Sequence, residues 1–347
     1  MSIPTVARIE WMLTRRCNNN CAYCKIRNPG KRLGKELSTG EVLRVADIIN
    51  TYWPGAPINL FGGEPTERTD LPALIRVLVE LKQPVILSSN SIKAYSDPKY
   101  IEELALIGLR NWTVSFDGMT RQQCVDHGSW NRALIGMEVL QMARRYGITD
   151  LVANITVSKH NIEYLPGIVR TLTGNGIWSI LCMLQVGHNG YEYSQGDPKD
   201  LPSEAQIQDI FPRLAKMVRS KKYLIQTSAE WFEFLMEHGV EQQTWKCNDK
   251  ASLTIDADGS LKHCVDVPLP KRLTIFDLEQ DAGLNLYNQL IKNPKCEGCL
   301  WDSAYDSINR SRNILGEKEA QRLYRHELTN EEIEALIPNA RQYFKRR

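Results

Sequence analysis

Nine cysteines lie along the 347 residues, and three of them fall close together in Cys17-Asn18-Asn19-Asn20-Cys21-Ala22-Tyr23-Cys24. Thiolates at this spacing can converge on one metal centre while the backbone loops around it. Three is one too few for a closed four-thiolate site, whether zinc or an iron–sulfur cubane. One metal position is left for something that is not protein, or for a fourth ligand borrowed from afar. Local spacing alone leaves zinc and iron–sulfur both open.

A second set follows much later: Cys247, Cys264, and the tight pair Cys296-Glu297-Gly298-Cys299. Residues 252–263, between the first two, alternate around Asp258-Gly259 and predict a β-hairpin that draws Cys247 and Cys264 together. Four thiols make a closed site, and a structural zinc ribbon fits them as well as a cluster does. Two cysteines are left over. Cys124 follows the fourth strand candidate, near the strands' C-terminal ends. Cys182, beside Ile180 and Leu184, reads as a core cysteine facing away from its strand's polar side.

The elements that must position these residues alternate. Strands are expected at Arg8–Thr14, Ile58–Phe61, Val85–Ser89, Trp112–Phe116, Leu151–Val157 and Trp178–Val186. Helices are expected between them: one from Ser38, with Glu41 completing a capping box, then Leu71–Leu81, Lys99–Ile107, Asn131–Tyr146 and Tyr164–Leu172. Six βα units in series make an α/β chain with a parallel sheet and helices outside. Side chains alternate across a strand. Thr113, Ser115 and Asp117 therefore share one face, Asn154 and Thr156 another, and Ser179 and Gln185 a third. Polar residues on one face of several strands predict an interior that holds a polar ligand. After Val186 a glycine-rich loop carries Tyr191 and Tyr193, with His188 and Glu192 as candidate proton carriers over the mouth. Further helices are expected at Glu204–Ser220 and Glu230–His238.

Cys-x3-Cys-x2-Cys with an aromatic, Tyr23, before the last Cys resembles the signature of the radical S-adenosylmethionine (SAM) superfamily. Phe61-Gly62-Gly63-Glu64-Pro65, closing the second strand, is similar to that family's GGEP motif. The resemblance implies a partial (β/α)6 barrel. It implies a [4Fe-4S] cluster on Cys17, Cys21 and Cys24, with SAM on the open iron and Gly62, Gly63, Glu64 and Pro65 at its methionine end. Ser89 and Asn90 match a turn near the SAM ribose, although Ser91 replaces the usual glycine. Ser115 and Asp117 sit in Val-Ser-Phe-Asp-Gly, which resembles a strand end common in relatives with extra clusters, and are candidates for SAM or substrate contact. The family's adenine-contacting motif has no clear match.

Cys247 to Cys264, with Gly259 between, resembles the opening of SPASM and twitch domains. No cysteine follows Cys299, so the likeness is to twitch: a small C-terminal α+β iron–sulfur domain with one auxiliary [4Fe-4S] cluster on Cys247, Cys264, Cys296 and Cys299. The expected layout is a barrel over 1–200, a helical linker over 201–245, the twitch-like unit over 246–302 and a helical tail over 303–347.

Composition excludes some classes. A net charge of +2 makes no case for nucleic-acid binding, and no apolar run is long enough to span a bilayer. The first residues show no secretory signal, so the expected location is cytoplasmic and the cysteines point to metal rather than disulfides. A basic run, Lys25, Arg27, Lys31, Arg32 and Lys35, could meet an acidic substrate or an electron donor such as flavodoxin or ferredoxin. The resulting expectation is a radical SAM oxidoreductase, of dehydrogenase or epimerase type, acting on a small polar metabolite: a sugar, cyclitol or nucleoside-like molecule. The auxiliary cluster would accept an electron. Peptide modification ranks second, because no peptide-binding domain precedes the first strand. Epimerisation with Cys124 as hydrogen donor, and a non-enzymatic zinc-binding protein, complete the alternatives. Substrate and oligomeric state are not encoded legibly.

Overall fold

β1 (Arg8–Met12) has a parallel neighbour on each side, and the sheet is built outward from it. The computed structural model describes residues 6, 8–24, 34–127, 132–186, 193, 196–240 and 252–291. His188, Tyr191, Glu192, Cys247, Cys296, Cys299, most of the basic run and the tail lie outside the described residues.

The chain leaves β1 through the thiol loop and enters α1 (Thr39–Tyr52) at the anticipated capping box. The Ser38 N–H donates to Glu41 Oε2 at 2.8 Å and the Glu41 N–H returns to Ser38 Oγ at 3.4 Å. The Ser38 amide and hydroxyl, aided by the Lys35 ammonium, hold the Glu41 carboxyl down to about 2. A depressed acid stabilises the fold above its ordinary value of 4.5, and that contribution is lost as pH falls toward 2. Glu41→Gln should therefore lower the denaturation midpoint relative to wild type at pH 5, with the gap closing towards pH 2.

The rest follows the expected alternation. β2 (Ile58–Phe61) leads to α2 (Leu71–Glu80), and β3 (Val85–Ser89) to α3 (Ile92–Ser96) and α4 (Pro98–Leu106). One helix was expected here; Pro98, which has no N–H, ends the first, and Asp97 caps the second by accepting from the Lys99 N–H at 3.2 Å. β4 (Asn111–Ser115), α5 (Arg132–Arg145), β5 (Asp150–Val157), α6 (Leu165–Gly174) and β6 (Trp178–Met183) complete six parallel strands. α7 (Glu204–Arg219) and α8 (Ala229–His238) pack together, with the Phe211 and Phe232 rings 5.2 Å apart. The chain between them runs along the outer edge of β6. The Ser179 N–H donates to Leu224 O and the Gln226 N–H to Ser179 O, both at 2.8 Å, which covers that edge.

The hairpin anticipated over 252–263 forms as β7 (Ser252–Ile255) and β8 (Leu261–Lys262), turning at Gly259 with φ +81°. It joins the main sheet, because β7 lies parallel to β1 with Arg8 opposite Ser252 and Trp11 opposite Ile255. α9 (Asp281–Leu290) follows. The strand order is β6-β5-β4-β3-β2-β1-β7-β8, an open α/β sheet whose ends do not meet, so the barrel is partial. One face carries Ile9, Trp11, Ile58, Leu60, Leu87, Trp112, Val114, Ala153 and Ile155, all fully buried beneath the helices. The other is the interior.

Candidate radical SAM site

The strand ends set the site. Beyond β1 and β2 the two chains stay paired: Leu13 N–H to Phe61 O at 2.8 Å, Gly63 N–H to Thr14 O at 2.7 Å, Glu64 N–H to Arg16 O at 2.8 Å. Such contact leaves no room for a side chain. A Cβ on Gly63 would lie 2.1 Å from Arg16 O, and one on Gly62, at φ +152°, 2.4 Å from Thr14 O. Glu36 fixes the same segment from the other side. Its Oε1 accepts from Thr14 Oγ1 at 2.7 Å and the Arg15 N–H at 2.8 Å, and its Oε2 pairs with Arg16. Burial pushes the Glu36 carboxyl up, but those donors and the nearby guanidinium outweigh it and the net shift is downward. Arg68, buried, ties the segment to α1 through Leu13 O at 3.3 Å, Leu37 O at 3.0 Å and Asp70. Cys17 therefore emerges from a fixed support. Sequence reading missed Glu36 and Arg68, which carry no motif.

Glu64 is wholly buried and accepts four hydrogen bonds: Thr66 N–H at 3.1 Å, Thr66 Oγ1 at 2.7 Å, Ser89 Oγ at 2.7 Å and the Asn90 N–H at 2.6 Å. Burial pushes its carboxyl up against the pull of these donors. Pro65 opens the short 3-10 turn over Pro65–Glu67. Thus the ends of β2 and β3 are locked together through one carboxylate. Ser91 adopts φ +64°, which explains why a glycine suits that position.

Within the thiol loop Cys17 is exposed and Cys21 and Cys24 are half-buried, with the Cys24 N–H 3.3 Å from Cys21 O. The asparagines hold the loop. Asn18 donates to Glu67 Oε1 at 3.0 Å and accepts from Asn90 at 2.8 Å, while Asn19 Nδ2 lies 3.2 Å from Cys21 Sγ. Asn90 Nδ2 also reaches Cys17 Sγ at 3.8 Å. Among the described residues no three His, Cys, Asp or Glu side chains are arranged to hold a single metal ion. Three thiolates on a cubane each take a different iron and need wider spacing than one ion demands. Three thiols in one loop beside a side-chain-free glycine cradle suit a three-thiolate cluster with an adjoining small ligand.

Tyr23 turns inward, and its phenol oxygen accepts from Thr156 Oγ1 on β5 at 3.3 Å. Burial, followed by the Asp117 carboxylate, pushes this phenol well above its ordinary range. Asp117 Oδ1 accepts the Thr156 N–H at 2.8 Å, and Asn161 Nδ2 donates to Asp117 O at 2.9 Å, so Asp117 joins the ends of β4 and β5. Ser115 lies on the interior face beside Asn154.

Across the interior, Asn59 Nδ2 donates to Glu10 Oε2 and Ser88 Oγ to Asn59 Oδ1, each at 2.7 Å. Thr113, Ser115, Asn154 and Thr156 continue this half-buried polar face. The expectation for β6 requires correction. Ser179, Leu181 and Met183 are the buried, helix-side residues, and Cys182, opposite Thr156, is interior. Its Sγ lies 3.3 Å from Asn154 Oδ1. Among the described cysteines Cys124 is the fully buried one: it lies on a 3-10 turn with its thiol 3.6 Å from Gly118 O.

A second polar node joins the thiol loop to the late hairpin. Arg15 Nη2 lies 2.8 Å from Asp256 Oδ1, and Arg15 Nε donates to the Tyr193 hydroxyl at 3.1 Å. That hydroxyl donates to Asp256 Oδ2 at 3.0 Å, and the Lys262 ammonium sits 4.4 Å over the Tyr193 ring. Burial and then the Asp256 carboxylate push the Tyr193 phenol up. Cys264 is half-buried and follows Lys262 and His263, which are buried.

An open parallel sheet with a three-thiol loop and a glycine cradle at the ends of its first two strands defines a cluster-dependent SAM-binding class. The comparisons agree. The family model described as "Radical SAM superfamily" matches residues 11–172. The AdoMet-dependent heme synthase of Methanosarcina barkeri (strain Fusaro / DSM 804) is 31% identical over 261 residues, covering 69% of this chain and 70% of that protein. The chain belongs to the radical SAM superfamily, whose members bind a [4Fe-4S] cluster and SAM. In solved structures the fold is shared with anSMEcpe with bound AdoMet (TM-score 0.60, 14% identity, 97% of this chain and 99% of that one). It is shared also with Streptococcus suis SuiB bound to precursor peptide SuiA (TM-score 0.61, 14% identity, 89% and 74%). No helix among the described residues is long and apolar enough to cross a membrane.

Proposed function

We propose that Cys17, Cys21 and Cys24 hold the SAM-binding cluster, and that the enzyme takes a hydrogen atom from a small polar metabolite seated against the interior face. The observation that carries this reading is the polar run on that face: Glu10, Asn59 and Ser88 in a bonded chain, then Thr113, Asn154 and Thr156. A barrel packed for stability alone would carry branched apolar residues there. When bound, cluster and SAM supply one-electron cleavage to methionine and a 5′-deoxyadenosyl radical, the hydrogen-abstracting species. The chain's own residues orient and enclose. Gly62 and Gly63 keep the cradle open for the methionine end of SAM, Glu64 fixes the strand ends beneath it, and Tyr23 walls the interior beside β5.

Cys247, Cys264, Cys296 and Cys299 hold a second, twitch-like [4Fe-4S] cluster in this reading, which makes net oxidation the preferred outcome. His188 and Glu192 are the candidates for removing the substrate proton, and a flavodoxin- or ferredoxin-like protein is the electron source. Redox-neutral epimerisation with Cys124 as hydrogen donor is the alternative outcome; that thiol is buried, 3.6 Å from Gly118 O.

After anaerobic reconstitution, Cys17→Ala should abolish SAM cleavage. Cys296→Ala should spare part of the cleavage but lose the product. Equal loss in both would remove the distinct role of the second cluster, and a colourless chain holding zinc without sulfide would remove the enzyme. Deuterium appearing in 5′-deoxyadenosine from labelled sugars, cyclitols or nucleosides would fix the substrate class.

A second reading is modification of a peptide. The specific observation in its favour is the fold shared with Streptococcus suis SuiB bound to precursor peptide SuiA. Label transfer from a peptide and none from the small polar panel would establish it.

A further inference from the structure

The asparagines of the thiol loop are not explained by binding SAM. Asn18 and Asn90 bond each other and fasten the loop to Glu67. Asn19 does something different: its side-chain amide points at a thiol, with Nδ2 3.2 Å from Cys21 Sγ. An N–H donor to a cysteine sulfur disperses charge that the sulfur draws from the cluster. Reduction adds one negative charge, so the bond is stronger in the reduced state and favours it. Hydrogen bonds to the sulfurs are among the determinants of iron–sulfur potentials.

We propose that Asn19 sets the reduction potential of the cluster on Cys21, holding it higher than the thiolates alone would give. The inference rests on Cys17, Cys21 and Cys24 being the cluster ligands. Asn90, whose amide reaches Cys17 Sγ at 3.8 Å while donating to Asn18 at 2.8 Å, acts in the same direction but more weakly. Asn20 is exposed and serves as the loop control.

The test is an anaerobic redox titration of the reconstituted full-length chain. The first cluster is followed by the part of its reduced electron paramagnetic resonance signal that changes when SAM is added. Asn19→Ala should lower the reduced-to-oxidised ratio at a fixed intermediate potential about tenfold, a fall of about 59 mV in midpoint for a one-electron couple. Asn19→Ser, keeping a shorter donor, should fall between Asn19→Ala and wild type, and Asn20→Ala should not move. Resonance Raman iron–thiolate stretching bands should shift in Asn19→Ala irrespective of turnover. If Asn19→Ala disrupts loading, Asn19→Leu, which keeps the side-chain volume without the donor and without a new charge, replaces it in both measurements. A loaded variant with an unmoved midpoint and unmoved bands overturns the proposal, as does an equal shift in Asn20→Ala. A wild-type chain that binds no iron and sulfide overturns instead the ligand assignment on which it rests.

Discussion

Gly63→Ala should yield a chain that takes up little iron and sulfide on reconstitution and does not cleave SAM. The added Cβ would sit 2.1 Å from Arg16 O, 2.7 Å from Arg16 C and 2.9 Å from Arg15 C. All three are backbone atoms, so no flexible side chain can yield. The strand ends must separate, breaking Gly63 N–H to Thr14 O and Glu64 N–H to Arg16 O. Overpacking of this kind costs about 3 kcal/mol, and the displaced segment is the one from which Cys17 emerges. Gly40→Ala, with nothing within 4 Å of its Cβ and a place in α1, should be neutral or slightly stabilising. The measurements are iron and sulfide per chain, the urea midpoint, and 5′-deoxyadenosine formed. Full loading of Gly63→Ala would show that the close pairing is not what holds the thiol loop.

The parts of this architecture that were legible in sequence are the local ones. Cys17 to Cys24 and Gly62 to Pro65 announce themselves because a cluster and a backbone cradle demand particular residues at short spacing. The Ser38–Glu41 cap and the Asp258-Gly259 turn are equally local and form as expected. The phase of β6 failed for a physical reason. Polar Ser179 is buried on the helix side, its hydroxyl donating to Leu224 O at 3.0 Å, so polarity does not mark the interior face of this strand. Cys182 was consequently assigned to the wrong face. Cys124 lies on the 3-10 turn Gln122–His127 that follows β4, with its thiol 3.6 Å from Gly118 O. Glu36, Arg68 and the Arg15 node act through partners distant in sequence, and no single-sequence pattern marks such pairs.

The pairing of β7 with β1 brings the most consequential of those partners together, and Asp256→Ala should expose it. Asp256 is buried, lies 2.8 Å from Arg15 and 3.8 Å from Lys262, and accepts from the Tyr193 hydroxyl at 3.0 Å and the Ala257 N–H at 2.6 Å. Its removal leaves two cationic side chains, one of them deeply buried, without that counter-charge. Breaking a buried pair from one side costs about 3–5 kcal/mol. Arg15 stands two positions before Cys17, so the loss should be felt at the thiol loop as well as in the hairpin. The expected result is a lower urea midpoint with slower SAM cleavage. Asp256→Asn, which keeps the acceptor oxygen and loses the charge, should be milder. Arg15→Ala combined with Asp256→Ala should cost less than the sum of the two single changes, because the second removes a charge the first has already orphaned. Strict additivity would mean that the ion pair contributes nothing and that the hairpin is held to β1 by its backbone ladder alone.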